Sequence, residues 1–177
     1  MGVFSQDEVD KMRAASIMAL TKLQKNDPAK LQVREDQWPA LLFWPSEISS
    51  YLDQIRKDER LADIARAYLG DDITQLNNQI YYRLPGDGDE FAWHQDITFR
   101  TPVEHYNQIE SGYLQTIVVI DNLLENGNIE FVPGSHRWGE KKMVPRDGSE
   151  KGLRNFVRGD LKGEKVYANG GDVLVGS

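Results

Sequence analysis

The sequence contains no cysteine, only three histidines and seven prolines, and no long hydrophobic run. The absence of cysteine excludes disulfides, thiolate metal sites, iron–sulfur clusters and thiol nucleophiles. The longest apolar stretch, at residues 117–120, is strand-sized and far short of the roughly 20 residues that a membrane helix needs. The N-terminus also lacks the basic and apolar blocks of a secretory signal, so we expect a cytoplasmic protein without a membrane partner.

Basic charge is scarce as well: 21 Lys and Arg residues against 28 Asp and Glu residues give a net charge of −7. Without a cluster of basic residues, nucleic acid is not an expected partner. A hydrophobic fraction of 40% and an aromatic fraction of 10% are typical of a soluble globular protein. The length suits one domain of ordinary size, so we predict a single domain over residues 1–177.

The first part of the chain, residues 1–72, is predicted to be mostly helical. Ser5 and Glu8 have the spacing of a capping box, in which each side chain accepts from the other residue's backbone N–H. Apolar residues then recur every three to four positions, which predicts a helix over residues 6 to about 25.

A second helix is predicted over about residues 46–69, with a break near Lys57. Its expected buried stripe consists of Leu61, Ile64, Ala65 and Tyr68. Residues 38–45 lie between the two helices and carry two prolines among aromatic residues. Because each proline disfavours the helical conformation of its predecessor, we predict an irregular aromatic loop there.

The second part, residues 73–177, carries short strand-like runs separated by Gly-rich turns. The predicted strands are residues 79–84, 91–96, 113–121, 128–132, 165–168 and 172–175. Many short strands of this kind are typical of a sandwich or jelly roll. We therefore predict a mainly β fold with N-terminal helices, of the α+β class.

The residues most suggestive of chemistry are Trp93-His94-Gln95-Asp96. On a strand, residues two apart project from one face, so His94 and Asp96 reach a common point while Trp93 and Gln95 point away. An imidazole and a carboxylate are two-thirds of a two-His-one-carboxylate triad, which holds Fe(II) and leaves neighbouring positions open. Taken alone, the pattern is more often a hydrogen-bonded pair at the end of a strand.

Four motifs, in this order, resemble the phytanoyl-CoA dioxygenase family: WHQDITF at 93–99, GYLQTIVVID at 112–121, GNIEFVPGSHRWG at 127–139 and GDVLV at 171–175. The resemblance implies a double-stranded β-helix (jelly-roll, cupin-like) enzyme. Such an enzyme uses Fe(II), 2-oxoglutarate and O₂ to hydroxylate a C–H bond of a small organic substrate. By position, the resemblance makes His94 and Asp96 the first two iron ligands. Asp96 also favours hydroxylation, since related halogenases have a small residue there.

The resemblance also reveals a gap. In the family, the Gly-Asp-x-Leu strand is soon followed by a second His ligand and by an Arg that pairs with 2-oxoglutarate. Here that strand is at residues 171–175, and neither residue is present before Ser177. We therefore expect a C-terminally incomplete jelly roll from a hydroxylase. The alternative is a catalytically inactive jelly-roll binding module, and a cupin-like isomerase or sugar-binding protein ranks behind both.

Several further residues are candidates for the site. Gln79, Tyr81 and Thr116 are each placed to hydrogen-bond 2-oxoglutarate from inside the barrel, although core packing is the more frequent role of such residues. His136 is expected to fix a turn, and ligation by it is left open. Other expected positions are a surface site for His105 and the border of the substrate entrance for Phe99 and Arg100.

Overall fold

The computed structural model describes residues 2–26, 31–33, 39–83, 93–96, 112–123, 129–139, 143–145, 155–157 and 161–176. Within these ranges helices and strands are mixed. The helices are α1 (Gln6–Asn26), α2 (Ser50–Arg56) and α3 (Glu59–Leu69). The strands are β1 (Leu31–Val33), β2 (Pro39–Phe43), β3 (Gln79–Tyr81), β4 (Gln115–Val118), β5 (Ile129–Phe131), β6 (Met143–Pro145), β7 (Asn155–Val157), β8 (Glu164–Val166) and β9 (Val173–Gly176).

Helix α1 begins at the predicted capping box. The Ser5 backbone N donates to Glu8 Oε2 at 2.8 Å, and the Glu8 backbone N donates to Ser5 Oγ at 3.4 Å. These two bonds satisfy donors that a helix N-terminus otherwise leaves unpaired. The helix buries one stripe, which consists of Val9, Met12, Ser16, Ala19 and Leu23.

The second predicted helix is two helices, α2 and α3, with the break at the predicted position. Asp58 caps α3, since its carboxylate accepts from the Arg60 backbone N at 3.0 Å. The predicted burial of Tyr68 is wrong, because this side chain is 68% exposed. Of the expected stripe, Leu61 packs against the cluster of Phe4, Val9 and Met12, and the last turn of α3 lies beyond that cluster.

The irregular loop predicted around residues 38–45 is also wrong. Strand β2 is the middle strand of a three-stranded antiparallel sheet, and its Leu42 pairs with Leu31 on one side and with Ile80 on the other. Pro39 is tolerated because it is the first residue of the strand. Leu42 is fully buried in a core cluster with Ala19, Leu23 and Leu52, so burial between two partner strands outweighs the local signal.

Among the described residues from 112 onwards, the strands form three nested antiparallel pairs: β4 with β9, β5 with β8, and β6 with β7. In the sequence, β5 and β8 lie between β4 and β9, and β6 and β7 lie between β5 and β8. The innermost strands, β6 and β7, fall in a Gly- and charge-rich stretch for which no strand was predicted. Conversely, residues 93–96 are not in a strand, contrary to the prediction, and the rest of the predicted 91–96 strand lies outside the described residues.

The helical part and the strand pairs share a core. Val118, Ile120 and Val173 of the β4–β9 region pack against the cluster of Phe4, Val9 and Met12. The Phe4 backbone N donates to the Gly171 carbonyl at 3.0 Å. Gly171 has a φ of +91°, and an added Cβ would collide with the Phe4 carbonyl oxygen, so this turn requires glycine. The N-terminal segment is therefore fixed against the strand that leads out of this turn.

Candidate metal centre

The structure brings His94 and Asp96 together. His94 Nε2 lies 3.5 Å from Asp96 Oδ1, and the two side chains are 34% and 29% exposed. Two ligands at right angles on one divalent ion, each about 2.1 Å from it, lie roughly 3 Å apart. The observed separation therefore suits a single transition-metal ion after a small movement. The donor set, one imidazole and one carboxylate, suits Fe(II).

The residues between and before these two side chains point elsewhere and anchor the segment. Gln95 Nε2 donates to the Gly139 carbonyl at 3.0 Å. The indole of Trp93 lies against Gly163, where an added Cβ would be 2.7 Å from Trp93 Cζ2. The predicted alternation of side chains thus holds for residues 93–96 although they are not in a strand. The anchors come from the turn after β5 and from the residue before β8.

A third contact reaches the carboxylate from another part of the chain. The Tyr113 hydroxyl donates to Asp96 Oδ2 at 3.3 Å. Tyr113 lies two residues before β4, within the GYLQ motif, and sequence reasoning missed it. The sequence signal that could have found it is the alternation of an extended segment. Tyr113, Gln115 and Ile117 are two residues apart and so share one face, opposite to that of Thr116.

The register of β4 bears on the role predicted for Thr116. Thr116 shares its face with Val118, and Val118 packs against the N-terminal cluster. Gln115 and Ile117 lie on the opposite face. Thr116 itself is exposed, and its contact with 2-oxoglutarate stays a prediction. Gln115 is the polar residue of β4 on the other side.

Gln79 and Tyr81 share one face of β3, as predicted. Gln79 Nε2 donates to the Tyr81 hydroxyl at 2.6 Å, and Asn77 Nδ2 donates to Gln79 Oε1 at 2.8 Å. Tyr81 is 50% exposed. The pair thus lies on the side of the sheet opposite Leu42, which is fully buried, and Ile80, which is partly buried. Its contact with 2-oxoglutarate stays a prediction.

His136 lies in the 3-10 turn Ser135–Arg137 and is exposed. The turn is closed by backbone bonds from Arg137 N to the Gly134 carbonyl at 3.1 Å and from Trp138 N to the Ser135 carbonyl at 3.0 Å. Within the described ranges, no group of three or more His, Asp or Glu side chains is arranged to hold a metal ion. His136 therefore does not join His94 and Asp96 here. His105, Phe99 and Arg100 lie outside the described residues.

None of the helices in the described ranges combines the length and the apolar character that crossing a bilayer requires.

Comparison with known proteins identifies the family. The model of the family "Phytanoyl-CoA dioxygenase (PhyH)" matches residues 1–170. An ectoine dioxygenase of Sphingopyxis alaskensis is 32% identical over 142 residues, which are 76% of this chain and 44% of that protein. An ectoine dioxygenase of Bordetella bronchiseptica is 29% identical over 164 residues, which are 86% of this chain and 50% of that protein.

A third relative, from Stutzerimonas stutzeri, is named as a probable alpha-ketoglutarate-dependent hypophosphite dioxygenase. It is 28% identical over 115 residues, which are 64% of this chain and 36% of that protein. The chain spans about half the length, or less, of these relatives. Since the family model matches nearly all of the sequence, the chain belongs to the phytanoyl-CoA dioxygenase (PhyH) family of Fe(II)- and 2-oxoglutarate-dependent oxygenases.

Proposed function

We propose that the protein is a non-haem Fe(II)- and 2-oxoglutarate-dependent dioxygenase that hydroxylates a C–H bond of a small organic substrate. The observation that carries this proposal is the convergence of His94 Nε2 and Asp96 Oδ1, 3.5 Å apart, within a family match over residues 1–170. When bound, Fe(II) with 2-oxoglutarate and O₂ supplies the oxidising chemistry. The chain contributes the ligands, their orientation and the binding surface.

The strand topology supports a jelly roll, or double-stranded β-helix, as the scaffold. Three antiparallel pairs nested within one another are the pairing order of a long hairpin that has been rolled up. In this proposal, residues 73–177 belong to that scaffold and residues 1–72 cover one face of it, as one domain. The cytoplasm is the compartment predicted from the composition, and it stays a prediction.

Each residue of the proposed site has a distinct task. His94 and Asp96 hold the metal, and the carboxylate of Asp96 occupies the position that a halogenase would keep open for chloride. Thr116, which is exposed, stays a candidate for the 2-oxoglutarate contact on β4, and Gln115 is a second candidate on the opposite face of the strand. Gln79 and Tyr81 remain candidates for the same co-substrate.

In the family pattern, a second His ligand and a 2-oxoglutarate Arg follow the Gly-Asp-x-Leu strand, which here lies at residues 171–175. Their presence further along a longer protein stays a prediction. Sequencing the gene beyond codon 177 tests it. An open frame with a His soon after Ser177 and an Arg shortly beyond would support the prediction, and a stop codon there would favour the inactive binding module.

Ectoine is the first substrate to test, because two of the relatives described above are named as ectoine dioxygenases. The protein encoded by the complete gene is incubated with Fe(II), 2-oxoglutarate, O₂ and ectoine. We expect succinate and a product heavier by one oxygen atom, both detected by mass spectrometry. Succinate without modified ectoine would support the dioxygenase and exclude ectoine as its substrate.

Alanine variants of the two proposed metal ligands test whether the reaction depends on them. His94→Ala and Asp96→Ala should reduce succinate formation to background, because each removes a proposed metal ligand. His136→Ala is the matched control, since it removes an exposed imidazole from a turn and should retain activity. If His94→Ala and Asp96→Ala form succinate at the wild-type rate, the proposed metal site is wrong. If the wild-type protein binds Fe(II) and 2-oxoglutarate but forms no succinate with any candidate substrate, the result would favour the alternative of a catalytically inactive binding module.

A further inference from the structure

We propose that Tyr113 is a positioning residue that holds the Asp96 carboxylate so that only Oδ1 faces the metal. This inference rests on the proposed function, because it assumes that Asp96 is a ligand. Sequence reasoning gave Tyr113 no role. It lies 17 residues from Asp96 in sequence and reaches it from a separate element.

The two oxygens of Asp96 have different neighbours. Oδ1 lies 3.5 Å from His94 Nε2, on the side where the two ligands converge. Oδ2 accepts from the Tyr113 hydroxyl at 3.3 Å. That distance is longer than the roughly 2.5–3.0 Å usual for a hydroxyl donor, and contacts of this kind commonly tighten once a site is filled. Oδ1 of Asp96 thus faces the proposed metal position, and Oδ2 faces the Tyr113 hydroxyl.

Tyr113 is well placed to fix the carboxylate, because strand β4, which begins two residues later, is held at one edge and on one face. Strand β4 pairs with β9 from Gln115↔Gly176 to Val118↔Val173. Val118 also packs against the N-terminal cluster. Tyr113 lies two residues before this strand, so the β4–β9 pairing holds the backbone that leads out of Tyr113. The position of Asp96 is in this way tied to the β4–β9 pair, in addition to the contacts of Trp93 and Gln95.

The chemical consequence concerns the number of open coordination positions. A metal held by one carboxylate oxygen and two imidazoles keeps three positions for 2-oxoglutarate and O₂. A carboxylate that binds through both oxygens would take one of them. A neutral hydroxyl that donates to Oδ2 discourages that mode and leaves the negative charge of Asp96 in place. Tyr113 therefore keeps the third position open.

The test uses Tyr113→Phe in the protein encoded by the complete gene, with Co(II) as the probe metal. Loss of a hydrogen bond to a metal ligand typically weakens metal binding 10- to 100-fold, so we expect Co(II) affinity to fall at least about tenfold. We also expect the visible Co(II) spectrum to change, because the number of ligands on the ion changes. Affinity of the Co(II)-loaded protein for 2-oxoglutarate should fall as well. Tyr68→Phe, at a 68% exposed position on α3, is the matched control and should match wild type.

Three outcomes overturn the inference or the proposal beneath it. Wild-type Co(II) affinity and an unchanged spectrum in Tyr113→Phe would show that the hydroxyl does not position Asp96. A lower melting temperature of the metal-free protein, with an unchanged spectrum at saturating Co(II), would show a purely structural role. If Asp96→Ala binds Co(II) as the wild type does, the proposed metal site itself fails, whatever Tyr113 does.

Discussion

At the scale of single residues, two features define the candidate site: the side chains of residues 93–96 alternate in direction, and two of them contact glycines elsewhere in the chain. His94 and Asp96 face each other, while Trp93 and Gln95 anchor the same segment to distant residues. The alternation was predicted from the geometry of a strand, and it holds although residues 93–96 are not in one. The anchors were not, because Gly139 and Gly163 are brought to the motif by the fold.

Gly163→Ala tests the Trp93 anchor. A Cβ at this position would lie 2.7 Å from Trp93 Cζ2 and 2.9 Å from Glu130 Oε2, so the indole must move. We expect a loss of about 1–3 kcal/mol in the free energy of unfolding, as for other overpacked sites. We also expect weaker Co(II) binding, because His94 follows Trp93 directly. Urea unfolding and Co(II) titration measure the two effects.

Gly176→Ala is the control for this substitution, since its added Cβ would meet Phe131 Cε1 at an ordinary contact distance of 3.7 Å. It should change stability little. Unchanged Co(II) binding in Gly163→Ala, together with clear destabilisation, would mean that Trp93 supports the fold and not the position of His94.

At the scale of elements, the start of α1 is held by one carboxylate with two tasks. Glu8 caps the helix through Ser5, and its Oε1 accepts from Arg60 Nη2 at 2.6 Å. The Arg60 guanidinium also lies 4.2 Å from the centroid of the Phe4 ring. The hydrogen bond from Arg60, followed by those from Ser5, lowers the pKa of Glu8 from 4.5 to about 2. Glu8 thus links the first turn of α1 to α3.

The lowered pKa predicts how stability depends on pH. A folded-state pKa below the unfolded value means that the charged carboxylate stabilises the fold fully above pH 4.5. That contribution is lost as the pH falls from 4.5 towards 2, where Glu8 becomes protonated in the folded state. Glu8→Gln should therefore lower the melting temperature at neutral pH and reduce its fall over this acid range.

Melting temperatures at a series of pH values, measured by circular dichroism, check this prediction. Glu164→Gln, at an exposed position in β8, is the control and should follow the wild-type curve. A Glu8→Gln profile parallel to that of the wild type, with the same loss between pH 4.5 and 2, would contradict the assignment to Glu8.

The elements also show which kinds of signal can be read from sequence. The capping box, the extent of α1 and the break near Lys57 were predicted because each depends on neighbours within one or two turns. Strand β2 was missed because its stability comes from β1 and β3, which flank it in space. Tyr113 was missed for the same reason, since its contact with Asp96 exists only in the folded chain.

At the scale of the whole molecule, the placement of the described α-helices before residue 70 was predictable, although β1 and β2 also lie in that part. It follows from a change in hydrophobic periodicity, which sequence displays directly. The nesting of the three strand pairs was not predictable, because the sequence does not specify which short strands meet. Nor was the packing of α1 against β4 and β9, because it joins residues far apart in the sequence.

The same packing predicts that metal binding stabilises the whole fold. The segment with His94 and Asp96 contacts three distant parts of the chain. These are Gly139 in the turn after β5, Gly163 just before β8 and Tyr113 two residues before β4. Unfolding would separate the two ligands and release the ion. A ligand at 100 times its dissociation constant stabilises the folded state by about 2.7 kcal/mol. For a chain of this size, that corresponds to a rise of roughly 5–10 °C in melting temperature.

Thermal unfolding of the protein with and without Co(II) measures this rise. The wild-type protein should show it, Asp96→Ala should lose it because one ligand is gone, and His136→Ala should retain it. A rise that survives in Asp96→Ala would place the stabilising ion elsewhere in the molecule. A rise confined to proteins with both His94 and Asp96 would show that these two side chains, brought together by three separate elements, act as one binding unit.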